Sequence, residues 1–262
     1  MISEKEISKQ KKVLYTTISI FAFLLIWQLA TMLTKLGLLL PSPIETFTAF
    51  FQSFVEPIGQ YCLYTHVFWS LTRVIPFYLI GAFIGIVCGI TMGWYKPVEA
   101  IVRPLFELVR PIPPLAWIPI AIVWFGIGEG SKWFLIFLAS FCNVTINAYS
   151  GAKSVDPILV GCSRMLGASD TRIFTSVVLP SSVPHIFAGL QTALSVSWAT
   201  VVAAEMIRST EGVGWIIINS QETNNVVNTL VGVVAIGIVG FVLAIIMRGL
   251  EAKLCRWTKR GI

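Results

Sequence analysis

The strongest constraint on this chain is a series of long apolar runs, each long enough to cross a lipid bilayer. The first extends from Val13 to Leu33 without a charged residue, and about 20 apolar residues complete one helical crossing. Only 12% of the 262 residues are charged, against about 25% in a typical soluble domain. A soluble globular protein is therefore excluded, and the sequence predicts an all-α polytopic membrane protein.

Six transmembrane helices are predicted from these runs and the breaks between them. The first run is interpreted as a span because it exceeds the apolar core of about 7–15 residues in a secretory signal peptide, and no A-x-A site follows it. The later spans lie at about 67–94, in a segment ending near 124–128, and at 133–149, 186–207 and 229–248. The predicted divisions are a tail 1–12, the first span 13–33, an external connection 34–66, a five-span core 67–250 and a basic tail 251–262.

Lysine and arginine are distributed unevenly between the two predicted sides of the membrane. Of the 19 such residues, 15 lie in the segments 1–12, 95–110, 151–184 and 248–262, and three lie in the opposite connections. Because cytoplasmic loops carry the excess of Lys and Arg, both termini and the segment 151–184 are predicted to be cytoplasmic. The formal net charge of +6 is therefore interpreted as a topology signal and not as a nucleic-acid-binding surface.

The second span carries a glycine at every fourth position, on one helix face. This spacing predicts a surface on which another backbone approaches closely, which is a packing role and not a ligand site. The residues are Gly81, Gly85, Gly89 and Gly93.

Three features of the spans leave two interpretations open. Arg73 either extends to the membrane interface or lines a translocation path, and Glu205 either faces the outer water or lines a cavity. Four prolines in the segment 111–119 exclude a regular helix there. Irregular backbone at membrane depth is tolerated where it lines a watery cavity or is buried in protein, so this segment is either a path wall or a bent entry to the third span.

The segment 151–184 is polar although it lies between two apolar runs, which suggests contact with a partner outside the membrane. The sequence contains no P-loop GxxxxGK[ST], no HExxH motif, no His-Cys cluster and no evident Ser-His-Asp set. A membrane enzyme is therefore poorly supported, and a transport path is favoured. A secondary transporter acting alone is the second interpretation, but it lacks a convincing inverted repeat and deep intramembrane charges.

Spacing within this polar segment resembles the EAA loop of ABC-importer permeases. The matching anchors are Gly161-Cys-Ser, then Gly167, then Val177-x-Leu-Pro180. Gly161 stands where the family usually has Glu, while Cys162 and Ser163 keep the small size of the Ala-Ala pair. The missing Glu at position 161 affects a salt link or cap that it would supply to the partner, and it does not change the identification of the loop.

Further motifs resemble the family branch that imports taurine, alkanesulfonates and nitrate, over about residues 62–252. They are Arg-Pro-Ile-Pro-Pro-Leu-Ala-Trp-Ile-Pro from 110, Trp-Phe-Gly-Ile-Gly-Glu from 124, and Trp198 followed by Ala-Ala-Glu205. The first motif is most similar to that of taurine permeases, and permeases for thiamine precursors share the scaffold. The substrate stays open among these compounds.

This resemblance implies a type I ABC-importer permease fold in the bacterial cytoplasmic (inner) membrane, with no enzymatic activity in this chain. It implies two copies of an ATP-binding subunit, an extracytoplasmic solute-binding protein and a second permease copy. The chain is expected to hold no cofactor or metal and to bind no nucleic acid, with ATP and magnesium bound by the ATPase partner. The residues expected to couple to the ATPase are Gly161, Cys162, Ser163, Arg164, Met165, Leu166, Gly167, Ala168, Ser169, Asp170, Thr171, Leu179 and Pro180. The residues expected along the translocation path are Arg73, Arg110, Pro113, Pro114, Trp117, Trp198 and Glu205.

Overall fold

A computed structural model of the protein describes residues 9–255, and these residues are almost entirely helical. The α-helices within this range are α1 Lys9–Leu33, α2 Pro43–Gln52, α3 Leu63–Trp94, α4 Lys96–Val109, α5 Ile118–Phe125, α6 Glu129–Lys153, α7 Pro157–Met165, α8 Asp170–Ile173, α9 Leu179–Ile207, α10 Val213–Glu222 and α11 Val226–Leu254. Two 3-10 helices, Lys35–Leu38 and Pro114–Trp117, and a π-helical turn at Phe174–Val178 complete the helical segments. Most of the predicted tails, 1–12 and 251–262, lies outside the described residues.

The described helices confirm an all-α membrane protein, with five or six candidate spans where the sequence predicts six. Five helices have the length and composition of a membrane crossing: the Val13–Leu33 part of α1, then α3, α6, the continuous segment Asp170–Ile207, and α11. A sixth crossing is present only if Lys96–Val109 and Pro114–Phe125, which meet at an angle of 83°, count as one broken span and not as a re-entrant loop. The predicted third span corresponds to the second arm of this pair, and the break falls among the prolines of 111–119.

Several boundaries differ from the sequence prediction because prolines stand in the first turns of helices and do not end them. The connection at 95–110 is the amphipathic helix α4, and α5 begins at Ile118 with Pro119 in its first turn. Proline is well accommodated there because the first-turn N–H has no helical partner. Pro43 likewise starts α2, behind a capping box in which the Ser42 hydroxyl and the Glu45 carboxylate each accept the other's backbone N–H.

The chain folds as two compact units. One contains residues 9–63 and 216–234, and within it the Leu63 N–H donates to the Ser53 carbonyl over 2.9 Å. The other contains residues 64–215 and 235–255, including most of α3, all of α4–α9 and the larger part of α11. The coupling and path residues expected from the sequence all belong to this second unit.

Helices α3 and α6 pack along the glycine face of α3. A Cβ added at Gly81 would lie 2.7 Å from the Phe137 carbonyl oxygen, and one at Gly93 would lie 2.6 Å from the Ala152 Cβ. Gly85 contacts α6 between these two points, and an alanine at Gly89 would collide with the Thr145 carbonyl. The two backbones are therefore in contact over four successive turns, with no room for side chains.

We expect Gly89→Ala to lower the stability of the protein, because the added methyl group meets a backbone carbonyl that cannot rotate away. The cost of such overpacking is about 1–3 kcal/mol. Gly237→Ala is the matched control, since an added Cβ at Gly237 meets nothing within 4 Å. Thermal unfolding in detergent should show a lower midpoint for G89A only, and equal midpoints for the two variants would contradict the close packing of α3 on α6.

Candidate functional site

The segment predicted to couple to an ATPase forms a helix–turn–helix unit. Helix α7 begins after Asp156, whose side chain accepts the Ile158 N–H over 2.8 Å. Helix α8 begins after Ser169, whose hydroxyl accepts the Arg172 N–H over 3.3 Å. Both are favourable N-caps, so short polar residues fix the ends of two short helices.

The turn between these helices is a Schellman motif centred on Gly167. The Ala168 N–H donates to the Ser163 carbonyl over 3.0 Å, and the Gly167 N–H donates to the Arg164 carbonyl over 2.9 Å. Gly167 has a φ of +81°, a conformation that glycine adopts at little cost. The predicted anchor Gly167 is thus explained by the turn. Gly161 differs, because an added side chain there would meet nothing within this chain.

The apex of the turn presents two apolar side chains outward. Met165 is 89% exposed and Leu166 is 88% exposed, the highest fractions among the exposed large hydrophobic residues of the described chain. Arg164 and Asp170 flank them and form an ion pair of 3.1 Å. An apolar pair within a charged rim has the composition of a contact that a partner's pocket can bury.

The base of this unit is fixed to the spans. Ile173 and Val178 are buried in a cluster with Ile90 of α3 and with Ala148 and Ala152 of α6. Beyond it, Leu179 begins α9, with Pro180 in the first turn of that helix. An exposed apex on a buried base can transmit a displacement from a partner to the spans.

At the opposite ends of α3, α6 and α9 lies a buried ion-pair cluster centred on Arg73. The Arg73 guanidinium is 3% exposed and pairs with Glu129 at 2.8 Å, Glu205 at 2.9 Å and Glu211 at 2.6 Å. The interpretation of Arg73 as an arginine that extends freely to the interface is therefore wrong. Three carboxylates satisfy its donors from three different parts of the chain.

Glu205 is fully buried, so the interpretation that it faces the outer water is also wrong. Its carboxylate accepts from Arg73, from the Ser70 hydroxyl at 2.8 Å and from the Gly214 N–H at 3.0 Å. Gly212 has a φ of +118°, and an added Cβ there would collide with this carboxylate. The loop after α9 therefore closes over Glu205 only because position 212 is glycine.

Sequence reasoning assigned no role to Glu129, Lys132 and Glu211, although all three belong to this cluster. The Lys132 ammonium is buried and donates to Glu129 over 2.8 Å and to the Ser209 hydroxyl over 2.6 Å. The predicted topology could have indicated these residues, because it places their charges on the same side of the membrane as the end of the span that carries Arg73.

The other residues expected along a path occupy varied positions. Trp198 is buried, and its indole N–H donates to the Ile236 carbonyl over 3.1 Å, which joins α9 to α11. Trp117 packs among aromatic residues of α5 and α6, and its indole nitrogen is buried without a partner. Arg110 caps the exposed end of α4, and Pro113 and Pro114 begin the 3-10 turn. A role of these residues in a path stays a prediction.

Comparison with known proteins gives consistent results. The family described as binding-protein-dependent transport system inner membrane component matches residues 81–260. The taurine transport system permease protein TauC of Escherichia coli strain K12 is 37% identical over 233 residues, which cover 88% of this chain and 84% of TauC. The nitrate import permease protein NrtB of a Synechocystis species is 32% identical, with 88% of this chain and 86% of NrtB covered.

Solved structures agree with the fold. A chain of the MetNI methionine ABC transporter in an inward-facing conformation has a TM-score of 0.58 at 16% identity, covering 70% of this chain and 94% of that one. A chain of an amino acid ABC transporter has a TM-score of 0.57 at 16% identity, covering 82% of this chain and 97% of that one. On the family match and the identity to its relatives, the chain belongs to the inner-membrane components of binding-protein-dependent transport systems, the permease subunits of ABC importers.

Proposed function

We propose that this permease forms the translocation path for taurine or another alkanesulfonate. The observation that carries the proposal is its 37% identity to a taurine permease along 84% of that protein. Nitrate is the second candidate, supported by the 32% identity to a nitrate permease, and a thiamine precursor is the third. ATP and magnesium bind to a separate ATPase subunit, and an extracytoplasmic binding protein delivers the solute.

The helix–turn–helix unit of α7 and α8 is proposed as the ATPase contact, on the cytoplasmic side with both termini. Its support is the exposed apolar pair Met165 and Leu166, held on a capped turn whose base is buried. Two ATPase copies and a second permease copy complete the proposed transporter. A few side chains buried in well-packed, desolvated pockets supply most of the binding energy of an interface.

Replacing Met165 and Leu166 together by lysine is expected to abolish co-purification with the ATPase subunit. A charged side chain cannot enter an apolar pocket without a partner, so recovery should fall by more than about tenfold. Val55→Lys is the control, because Val55 is 82% exposed and lies in the predicted external connection. Pull-down from detergent-solubilised membranes measures the effect, and unchanged recovery of the ATPase would sink the assignment of this contact.

The proposed mechanism is alternating access driven by the ATPase. ATP closes the ATPase dimer, the two coupling units approach each other, and the spans rock from inward-open to outward-open. The Arg73 cluster supports this mechanism because it ties α3, α6 and the end of α9 into one body. Such a body can move as a unit without breaking its buried ion pairs.

Arg73→Met is expected to destabilise the protein strongly, because it leaves the fully buried Glu205 without its cation. Removing one partner of a buried pair costs about 3–5 kcal/mol. The double variant R73M/E205M removes both charges and should recover part of this loss. Thermal unfolding of the single and double variants tests the pair, and additive losses would show that Arg73 and Glu205 do not interact.

The substrate assignment predicts which nutrient a strain lacking this protein cannot import. Loss of growth on taurine or an alkanesulfonate as sole sulfur source, restored by the intact gene, is the expected result. Uptake should persist when the proton gradient is collapsed and should stop when ATP is depleted, which separates this mechanism from a secondary transporter. Loss of import of a pyrimidine thiamine precursor, with normal taurine import, would overturn the proposed substrate.

A further inference from the structure

A small cavity lies where α5, the start of α6 and the end of α9 come together. Its volume is about 210 Å³, below the range of about 300–1,000 Å³ for pockets that hold drug-sized ligands. Its lining is mostly aliphatic, with a serine and two cations: Ile118, Ile122, Ile127, Gly128, Ser131, Lys132, Leu135, Ala204, Ile207 and Arg208. A cavity of this size and character suits a small solute with an apolar part.

The two cations of this cavity differ from Arg73 in how many of their N–H groups have an acceptor within the protein. The Arg73 guanidinium binds three carboxylates and also the Glu211 carbonyl. The Lys132 ammonium has two acceptors, Glu129 and Ser209, for its three N–H groups, and Glu129 is shared with Arg73. The exposed Arg208 side chain forms no hydrogen bond or ion pair with another described residue.

An arginine without a described partner and a partly used ammonium, beside an aliphatic wall, define the chemistry of a ligand. An arginine fork matches the paired oxygens of an oxyanion, and a partly used ammonium adds a second charge-assisted contact. The aliphatic residues favour an alkyl group by the hydrophobic effect. Nitrate carries the charge but has no alkyl group to bury.

We propose that this cavity is the entry site of the permease for an alkanesulfonate, with the alkyl group among the isoleucines and the sulfonate at Arg208 and Lys132. The proposal deepens the proposed function and rests on it. In the proposed topology, the end of α5, the start of α6 and the end of α9 all lie on the extracytoplasmic side. The cavity is therefore placed to receive a solute that a binding protein releases.

The test uses proteoliposomes that contain the complete transporter, with loaded binding protein in excess outside and ATP inside. Labelled ethanesulfonate uptake and ATP hydrolysis are measured together. Arg208→Gln is expected to lower uptake by about tenfold, the effect of losing one charge-assisted contact. Arg208→Lys should recover part of the uptake, and binding-protein-stimulated ATP hydrolysis should persist because docking is intact.

Lys35→Gln is the matched control, since it removes one positive charge from the same predicted side of the membrane and Lys35 is not a lining residue of the cavity. A second variant, Ile122→Trp, reduces the space for the alkyl group. It should lower the uptake of pentanesulfonate relative to methanesulfonate by several-fold. This ratio is measured within one variant, so a general loss of folded protein does not change it.

The outcomes distinguish a failure of the entry site from a failure of the substrate assignment on which it rests. Equal uptake by R208Q and K35Q, with normal uptake by the unmodified transporter, overturns the entry site and leaves the proposed function standing. Loss of stimulated ATP hydrolysis together with uptake in R208Q makes Arg208 a docking contact for the binding protein and also overturns the site. If the unmodified transporter imports no sulfonate at all, the substrate assignment and the entry site both fail.

Discussion

The buried guanidinium of Arg73 is the interaction on which the arrangement of the spans depends most. A charge inside a membrane protein is costly unless it is paired, and Arg73 is paired with carboxylates 56, 132 and 138 residues away in sequence. These carboxylates come from α6, α9 and the loop that follows α9. Since the loss of Arg73 would leave these carboxylates, including the fully buried Glu205, without their shared cation, the ends of three helices are constrained to one geometry.

The glycine face of α3 extends this constraint along the length of the spans. From Gly81 to Gly93 the α3 glycines contact the backbone and Cβ atoms of α6 directly, so α3 contributes no side chain to this contact that could rearrange. Near the Gly93 end of this contact, a cluster including Ile90, Ala152 and Ile173 attaches the proposed coupling unit to the same two helices. The ion pairs at one end and the exposed apex at the other therefore belong to one closely packed body, which is what a lever in alternating access requires.

The features that the sequence predicts well are those encoded within a few neighbouring residues. Apolar run length predicts the spans, glycine spacing predicts a contact face, and the positive φ that the turn requires accounts for Gly167. The partners of Arg73 could not be predicted in this way, because no local pattern relates position 73 to positions 129, 205 and 211. Helix α4 was missed for a different reason: its charges, such as those of Arg103 and Glu107, pair along the helix surface and so resemble a polar connection in sequence.

The ion pairs around Arg73 divide two cations of the compact unit 64–215 and 235–255, Arg73 and Arg208, into two groups with different chemistry. Arg73 has its charge offset by buried carboxylates, so it stabilises the body and has little attraction left for a passing anion. Arg208 lies three residues after Glu205 in sequence but outside the cluster, because the backbone at Arg208 is extended and ends α9. The helix end thus places one charged residue in the protein interior and the next at the rim of a cavity. If the substrate is the proposed sulfonate, the permease needs both kinds of position, one to hold its helices and one to attract the anion, and the end of α9 supplies them within four residues.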